Sequence, residues 1–355
     1  MRKRKQKNEF NQKKTAEIFT NSASKMSVMK DLNSTNLTTI TNSTMIVDPL
    51  SLSRSIRFWI LLPCTIASLV GCLVLLIYFA MVRRLRQALH NHIIIVLITL
   101  DFLYLMIDPP MYLHYLRFGH FWPETESYCL IWWFASDGIH EVITSLMAWA
   151  AFERHILILN KQLVSNWRKQ LIFHYMPIAL ILIYGIIFYG VTIFFPPCRH
   201  HFDYTLEWCS EPCLFSNSIF MTYHLVFNEI TMTFFIAFFS ITLIIRIIWQ
   251  RKRRLRQPVQ WRKHRKMTIQ LLAIAANYLF FHLLDMFITL AKPFDLQSEF
   301  GIAFQSYMDF VSFFAELLLP WLCLASLYPK PWQKQSRSIG VETILNNSVQ
   351  QRTGN

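Results

Sequence analysis

Charge and glycine are scarce in this chain of 355 residues: only 16% of residues are Asp, Glu, Lys or Arg, and there are 8 Gly. A water-soluble domain averages about 25% charged residues. Too little charge is present to cover a soluble body of this length, which argues against a cytosolic enzyme. Cysteine is also sparse. Seven are too few for a disulfide scaffold, and no C-x-x-C pair or His/Cys cluster has zinc-site spacing. No H-E-x-x-H or G-x-S-x-G occurs, so the usual signatures of a membrane hydrolase are missing. An enzyme is not expected.

Apolar residues are abundant instead, at 54%, with 30 Phe, 11 Trp and 13 Tyr and a mean hydropathy of +0.31. That composition excludes intrinsic disorder through most of the chain. A helix needs about 20 apolar residues to cross the hydrocarbon core. Seven stretches qualify, at about 58–81, 91–112, 129–157, 171–195, 217–248, 267–291 and 303–327. A membrane barrel would show short alternating segments, and none dominates. The expected fold is an all-α membrane protein, a bundle of seven transmembrane helices.

The net charge of +14 is clustered in loops, which fits membrane orientation better than nucleic-acid binding. Arg83, Arg84 and Arg86 follow span one. Arg154, Lys161, Arg168 and Lys169 sit at or after span three, and nine basic residues lie between Arg251 and Lys266. The loops after spans two, four and six hold one each: Arg117, Arg199 and Lys292. Basic loops mark the cytoplasmic side, so the N-terminus is expected outside and the C-terminus inside. The basic cluster Arg2, Lys3, Arg4, Lys5 and Lys7 runs against this; either the tail crosses intact or translation starts later, at Met26 or Met29. Asn33, Asn36 and Asn42 each begin an N-x-Ser/Thr glycosylation acceptor and support export. The expected organisation is an extracellular tail over 1–57, a membrane domain over 58–328 and a short cytoplasmic tail over 329–355.

Three marks on this framework resemble a rhodopsin-like (class A) G-protein-coupled receptor over about residues 58–328. They are Leu100-Asp101 inside span two, Glu153-Arg154-His155 at the inner end of span three, and Cys129 at that span's outer end, 25 residues before Arg154. Departures are substantial: Gly71-Cys72 in span one, Tyr278-Leu279-Phe280-Phe281-His282 in span six, and Leu319-Pro320-Trp321-Leu322-Cys323 in span seven. The chain is similar to divergent, invertebrate neuropeptide-type receptors.

The resemblance implies a plasma-membrane protein that turns binding of an extracellular ligand, a peptide above all, into activation of a heterotrimeric G protein. Glu153, Arg154 and His155 would make the G-protein contact. Asp101 would hold a sodium ion, with Glu316 as a second carboxylate beside it; a shared proton is the alternative, since two acids in one cavity repel. Cys129 would form a disulfide to the loop between spans four and five, with Cys209 favoured over Cys198 or Cys213. No lysine lies between Gly301 and Tyr328, so the Schiff base of a retinal protein is excluded.

The outer halves of the spans carry Asp108, Ser136, Asp137, His140, Glu141, Asn228, Glu229, His282, Asp285 and Asp309. Asp137 and His140 are three apart and share a helix face. Polar groups in apolar spans usually face the bundle interior. Ser136, Asp137, His140, Asn228, His282, Asp285 and Asp309 are therefore the candidate ligand pocket, suited to a basic or amidated peptide. An amine is the weaker option, because Ser136 stands where the aminergic aspartate would be. The basic third loop can also bind anionic membrane lipids. A transporter or ion-conducting protein is the rival class, since intramembrane acids also mark ion paths; against it, the two halves show no evident repeat. GTP exchange against liposome flux separates the two.

Overall fold

The computed structural model describes residues 53–159, 166–253, 269–283, 286 and 299–327, and no strand occurs among them. Seven helical rods account for most of these residues. α1 is Arg54–Met81; after a single turn at Arg83–Arg86, α2 is Leu89–Phe118. α3 is a continuous rod over 126–159, made of Glu126–Trp133, a π segment Phe134–Ile139, and His140–Leu159. α4 is Trp167–Phe194, with a π segment at Leu171–Tyr175. α5 covers 218–253 and contains a π segment at His224–Ile230. α6 is Ile269–Leu283 and α7 is Glu299–Leu327.

Five of these rods, α1, α2, α4, α5 and α7, are long and apolar enough to cross a bilayer. At 1.5 Å per residue, a 28-residue helix such as α1 reaches about 42 Å, enough to cross a core of about 30 Å with a tilt. α3 is outside that set; Asp137, Glu141, Glu153 and Arg154 punctuate it. The described part of α6 is a shorter apolar helix.

The distribution of polarity is inverted relative to a soluble protein. Trp59, Ile66, Val70, Leu73 and Ile77 stand exposed on α1, Ile183, Ile186 and Ile187 on α4, and Phe234, Phe238, Ile241 and Ile245 on α5. Ser68, Asp101, Thr144, Glu153, Arg154, His174 and Glu316 are buried. Water would leave that apolar surface unsatisfied, whereas hydrocarbon matches it, and helices satisfy their own backbone polar groups there. Among the described residues the regular structure is all helical, and the apolar spans are those of a membrane protein.

α3 is the central rod. It packs against α2, α4 and α5, and it is hydrogen-bonded to α6 through Thr144 and Tyr278. Its approach to α4 is set by Gly185, where a Cβ would overlap the Val142 side chain. α1 packs against α2 and α7. Pro320 interrupts the backbone ladder of α7, and neighbouring helices supply side-chain donors there: Ser68 to the Leu317 carbonyl at 2.6 Å and Asn277 to the Ala315 carbonyl at 2.8 Å.

The helices lie where the apolar runs predict, but their ends differ. α2 was expected to stop at about 112; it continues through Pro109 and Pro110 to Phe118, where Gly119 at φ 78° caps it. Left-handed φ is open to glycine because no Cβ obstructs it. The sequence carries no sign of the three π segments. Asn33, Asn36, Asn42, Asp285, the basic stretch beyond Arg253 and the tail over 329–355 lie outside the described residues.

Candidate functional site

One end of the bundle is covered by the loop between α4 and α5, and this loop is held by two disulfides. Cys129 of α3 bonds Cys209, and Cys198 bonds Cys213. The favoured partner of Cys129 is therefore the one present. Between them Trp208, Cys209 and Ser210 have φ of 63°, 56° and 68°. Three consecutive non-glycine residues in the left-handed region cost roughly 1–2 kcal/mol each and persist only where their surroundings hold them. The Cys129 bond is one restraint. The Trp133 indole is the other, donating to the carbonyls of Trp208 at 2.7 Å and Ser210 at 2.9 Å. Trp208 also stacks on Trp132 at 4.8 Å and Tyr112 at 5.6 Å. Earlier in the loop, Thr205 donates its backbone N–H and hydroxyl to Asp203, holding that carboxyl below its usual range.

Beneath the loop is a cavity of about 320 Å³. α3 contributes Trp133, Ser136, Asp137, His140 and Glu141, and α5 contributes Met221, His224 and Glu229. His282 comes from α6, Asp309, Ser312, Phe313 and Glu316 from α7, and Tyr104 from α2. The loop adds Glu207, Trp208, Ser210, Glu211 and Phe215. Among the described residues of this wall, seven are carboxylic acids, three are histidines, and none is Lys or Arg.

Specific pairings organise the acids. His140 Nδ1 is 3.0 Å from Glu316 Oε1, joining α3 to α7. The Tyr278 hydroxyl is 3.3 Å from His140 Nε2 and also meets Thr144. On α5, His224 Nδ1 is 3.4 Å from Glu229 Oε1. Residues five apart diverge around an ordinary α-helix, but the π segment His224–Ile230 widens the turn and brings them over one another. Thr231 bonds the Val226 carbonyl, five residues back, in the same segment. Glu207 is anchored from outside the cavity by Arg57 at 3.3 Å, and Arg57 also donates to the Tyr112 hydroxyl at 3.0 Å.

Of the expected pocket residues, Ser136, Asp137, His140, His282 and Asp309 line this one cavity. Asn228 does not. It is buried behind the wall, accepting from the Tyr184 hydroxyl at 3.3 Å and donating to that of Tyr189 at 3.2 Å. Asp108 likewise bonds the Trp132 indole away from the lining. Glu316, expected beside Asp101, belongs to the cavity through its pairing with His140. Asp101 is buried within electrostatic reach of Glu316 but takes its hydrogen bond from Cys72 at 3.3 Å. Glu207, Glu211 and His224 were missed: the expected tie from Cys129 brings the loop to α3 without saying which loop side chains face the cavity, and the π segment that carries His224 has no local signature. Glu141 and Glu229 were legible as intramembrane acids but not as members of this pocket.

At the other end of α3, Glu153, Arg154 and His155 are brought against different neighbours. Glu153 is joined to His174 Nδ1 of α4 at 2.5 Å. Arg154 is fully buried. His155 Nε2 meets the Phe239 carbonyl of α5 at 2.8 Å and the Thr242 hydroxyl at 3.2 Å. Fourteen residues separate His140 from Arg154, about 21 Å of helix. One rod therefore links the acidic cavity to the triplet.

No family model matches the chain, and no curated protein matches it.

Proposed function

We propose that this chain is a seven-span, rhodopsin-like G-protein-coupled receptor of the plasma membrane, with its N-terminus outside and its C-terminus inside, and that it binds a basic or amidated peptide. The observation that carries this reading is the cavity wall, whose described residues include seven carboxylic acids and three histidines and no Lys or Arg. A low-dielectric pocket of one sign concentrates ligands of the other. A volume of about 320 Å³ accepts the end of a peptide, with the remainder lying on the loop. The acids are dispersed over α3, α5, α7 and the loop, which suits several cationic groups better than the single ammonium of an amine.

Two disulfides in the covering loop support an oxidising, extracellular setting for that end. The basic loops support a cytoplasmic setting for the other. Five apolar spans, with α3 and α6 added, make up the seven. Ligand in the cavity bears on His140 and Glu316, and α3 carries the change to Arg154, whose permanent charge meets the G protein once the helices part. Asp101 with Cys72 is the proposed seat of a sodium ion or a retained proton. The cytoplasmic loop after α5 contacts anionic lipid as well as the G protein.

The test is nucleotide exchange on a panel of heterotrimeric G proteins, with the purified chain in lipid nanodiscs and a library of short amidated peptides. Stimulation by cationic peptides, lost when their basic residues are replaced by neutral ones, supports the reading. Ion flux in liposomes without nucleotide exchange would assign the acids to transport instead.

A further inference from the structure

We infer that His140, Glu141 and His282 form a binding site for a transition-metal cation of the zinc type, set in the cavity wall between α3 and α6. One ligand atom from each of these residues lies within 4.8 Å of the other two. Two imidazoles and a carboxylate are a borderline-soft donor set, suited to zinc rather than to the all-oxygen preference of magnesium or calcium.

A second observation points the same way. Glu141 and His282 are both more than nine-tenths buried, both line the cavity, and Glu141 Oε2 and His282 Nε2 have no hydrogen-bond partner among the described residues. Leaving two such acceptors buried and unsatisfied is expensive, and a cation shared between them satisfies both at once. His140 has the further arrangement a metal ligand needs. Its ring is oriented from both nitrogens, Nδ1 by the Glu316 carboxylate at 3.0 Å and Nε2 by the Tyr278 hydroxyl at 3.3 Å. The longer contact, at Nε2, is the one a metal would replace, leaving the carboxylate behind the ring as in carboxylate-supported histidine ligands. Around a tetrahedral zinc the ligand atoms sit about 3.4 Å apart, so side-chain rotations of about an ångström close the site. Three protein ligands leave a fourth position toward the cavity, open to water or to a donor atom of a cavity ligand.

His140 and His282 are 142 residues apart in the chain, so no local spacing announces the site; the absence of a zinc-type motif in the sequence did not exclude it. The inference is independent of the receptor reading, because its test reads metal binding alone.

Zinc chloride is titrated into the purified full-length chain in nanodiscs, with a competing fluorescent chelator as the readout and magnesium chloride as the comparison ion. One zinc per chain is expected, with no competition from magnesium. Affinity should fall at least tenfold in both His282→Asn and Glu141→Gln, and it should be unchanged in His200→Asn and His201→Asn of the covering loop. Glu141→His, which completes a three-histidine set, should tighten zinc about tenfold, a gain that a misfolded variant cannot produce. Unaltered zinc affinity in His282→Asn and Glu141→Gln, zinc lost with the loop histidines, or no gain in Glu141→His would each overturn the assignment.

Discussion

His140 Nδ1 and Glu316 Oε1 lie 3.0 Å apart, an imidazole on α3 and a carboxylate on α7 joined across the cavity. Glu316 is buried and His140 half-buried, so the carboxylate depends on the imidazole, whose other nitrogen meets the Tyr278 hydroxyl. Removing one charge of a buried pair costs more than the pair contributes, because the partner is left uncompensated. Glu316→Gln keeps the shape and loses the charge, and it should destabilise the bundle by about 1–3 kcal/mol. Adding His140→Gln should recover part of that loss, a coupling that a double-mutant cycle of thermal unfolding measures. Strict additivity would show that the contact contributes nothing.

The α3–α4 contact makes a prediction with no charge in it. A methyl group at Gly185 would overlap Val142, so Gly185→Ala should separate the two helices and cost about 1–3 kcal/mol through overpacking. Val142→Ala opens the needed space. The double variant should melt closer to the parent than Gly185→Ala does, and a thermal-shift comparison decides it.

The left-handed run at Trp208, Cys209 and Ser210 depends on its restraints. Replacing Cys129 and Cys209 by Ser should free the run, raise protease sensitivity between 198 and 213, and abolish high-affinity ligand binding. Replacing Cys198 and Cys213 should do less: that bond closes a span of 15 residues against 80 for the other and does not tie the loop to α3. Trp133→Phe removes two hydrogen bonds to the run and should show an intermediate sensitivity, at a cost of about 1–2 kcal/mol. Limited proteolysis with mass readout orders the three.

How far the chain could be read without its coordinates depended on whether the signal was local. Apolar runs of about 20 residues made the helices legible, and the spacing of three put Asp137 and His140 on one face, as found. The end of α2 lies six residues beyond the expected 112, because Leu113 to Phe118, with His114 and Arg117 among them, are less apolar than a membrane run and yet continue the helix to Gly119. Glu316 stands within electrostatic reach of Asp101, as expected, but its hydrogen-bonding partner is His140. Depth follows from counting along the chain, but the rotation of α7 that turns Glu316 toward His140 is set by packing against α1 and α2, which no local pattern records. The π segment that stacks His224 on Glu229 is likewise a product of neighbours. Glu207 and Glu211 reach the cavity in a loop held by Cys129, by the Trp133 indole and, at Glu207, by Arg57, none of them neighbours in sequence.

The cavity's charge should govern ligand capture. Asp137→Asn, Glu229→Gln and Asp309→Asn each remove one of the seven acids of the wall, and each should weaken a cationic peptide. Losses at the more exposed positions should shrink in high salt, because screening acts mainly on solvent-facing charge. Displacement of a labelled peptide at two ionic strengths checks both statements. A peptide of reversed charge that binds better to all three variants would agree equally well, whereas affinity indifferent to all three would remove the electrostatic basis of the reading.

The measurement closest to the central claim is peptide-stimulated nucleotide exchange by the intact chain beside Arg154→Ala, with surface expression and cavity binding followed in parallel. The account predicts exchange with the intact chain and none with Arg154→Ala, while the variant still reaches the surface and still binds the peptide. Exchange that survives the substitution, or peptide binding without exchange on any G protein, would contradict it.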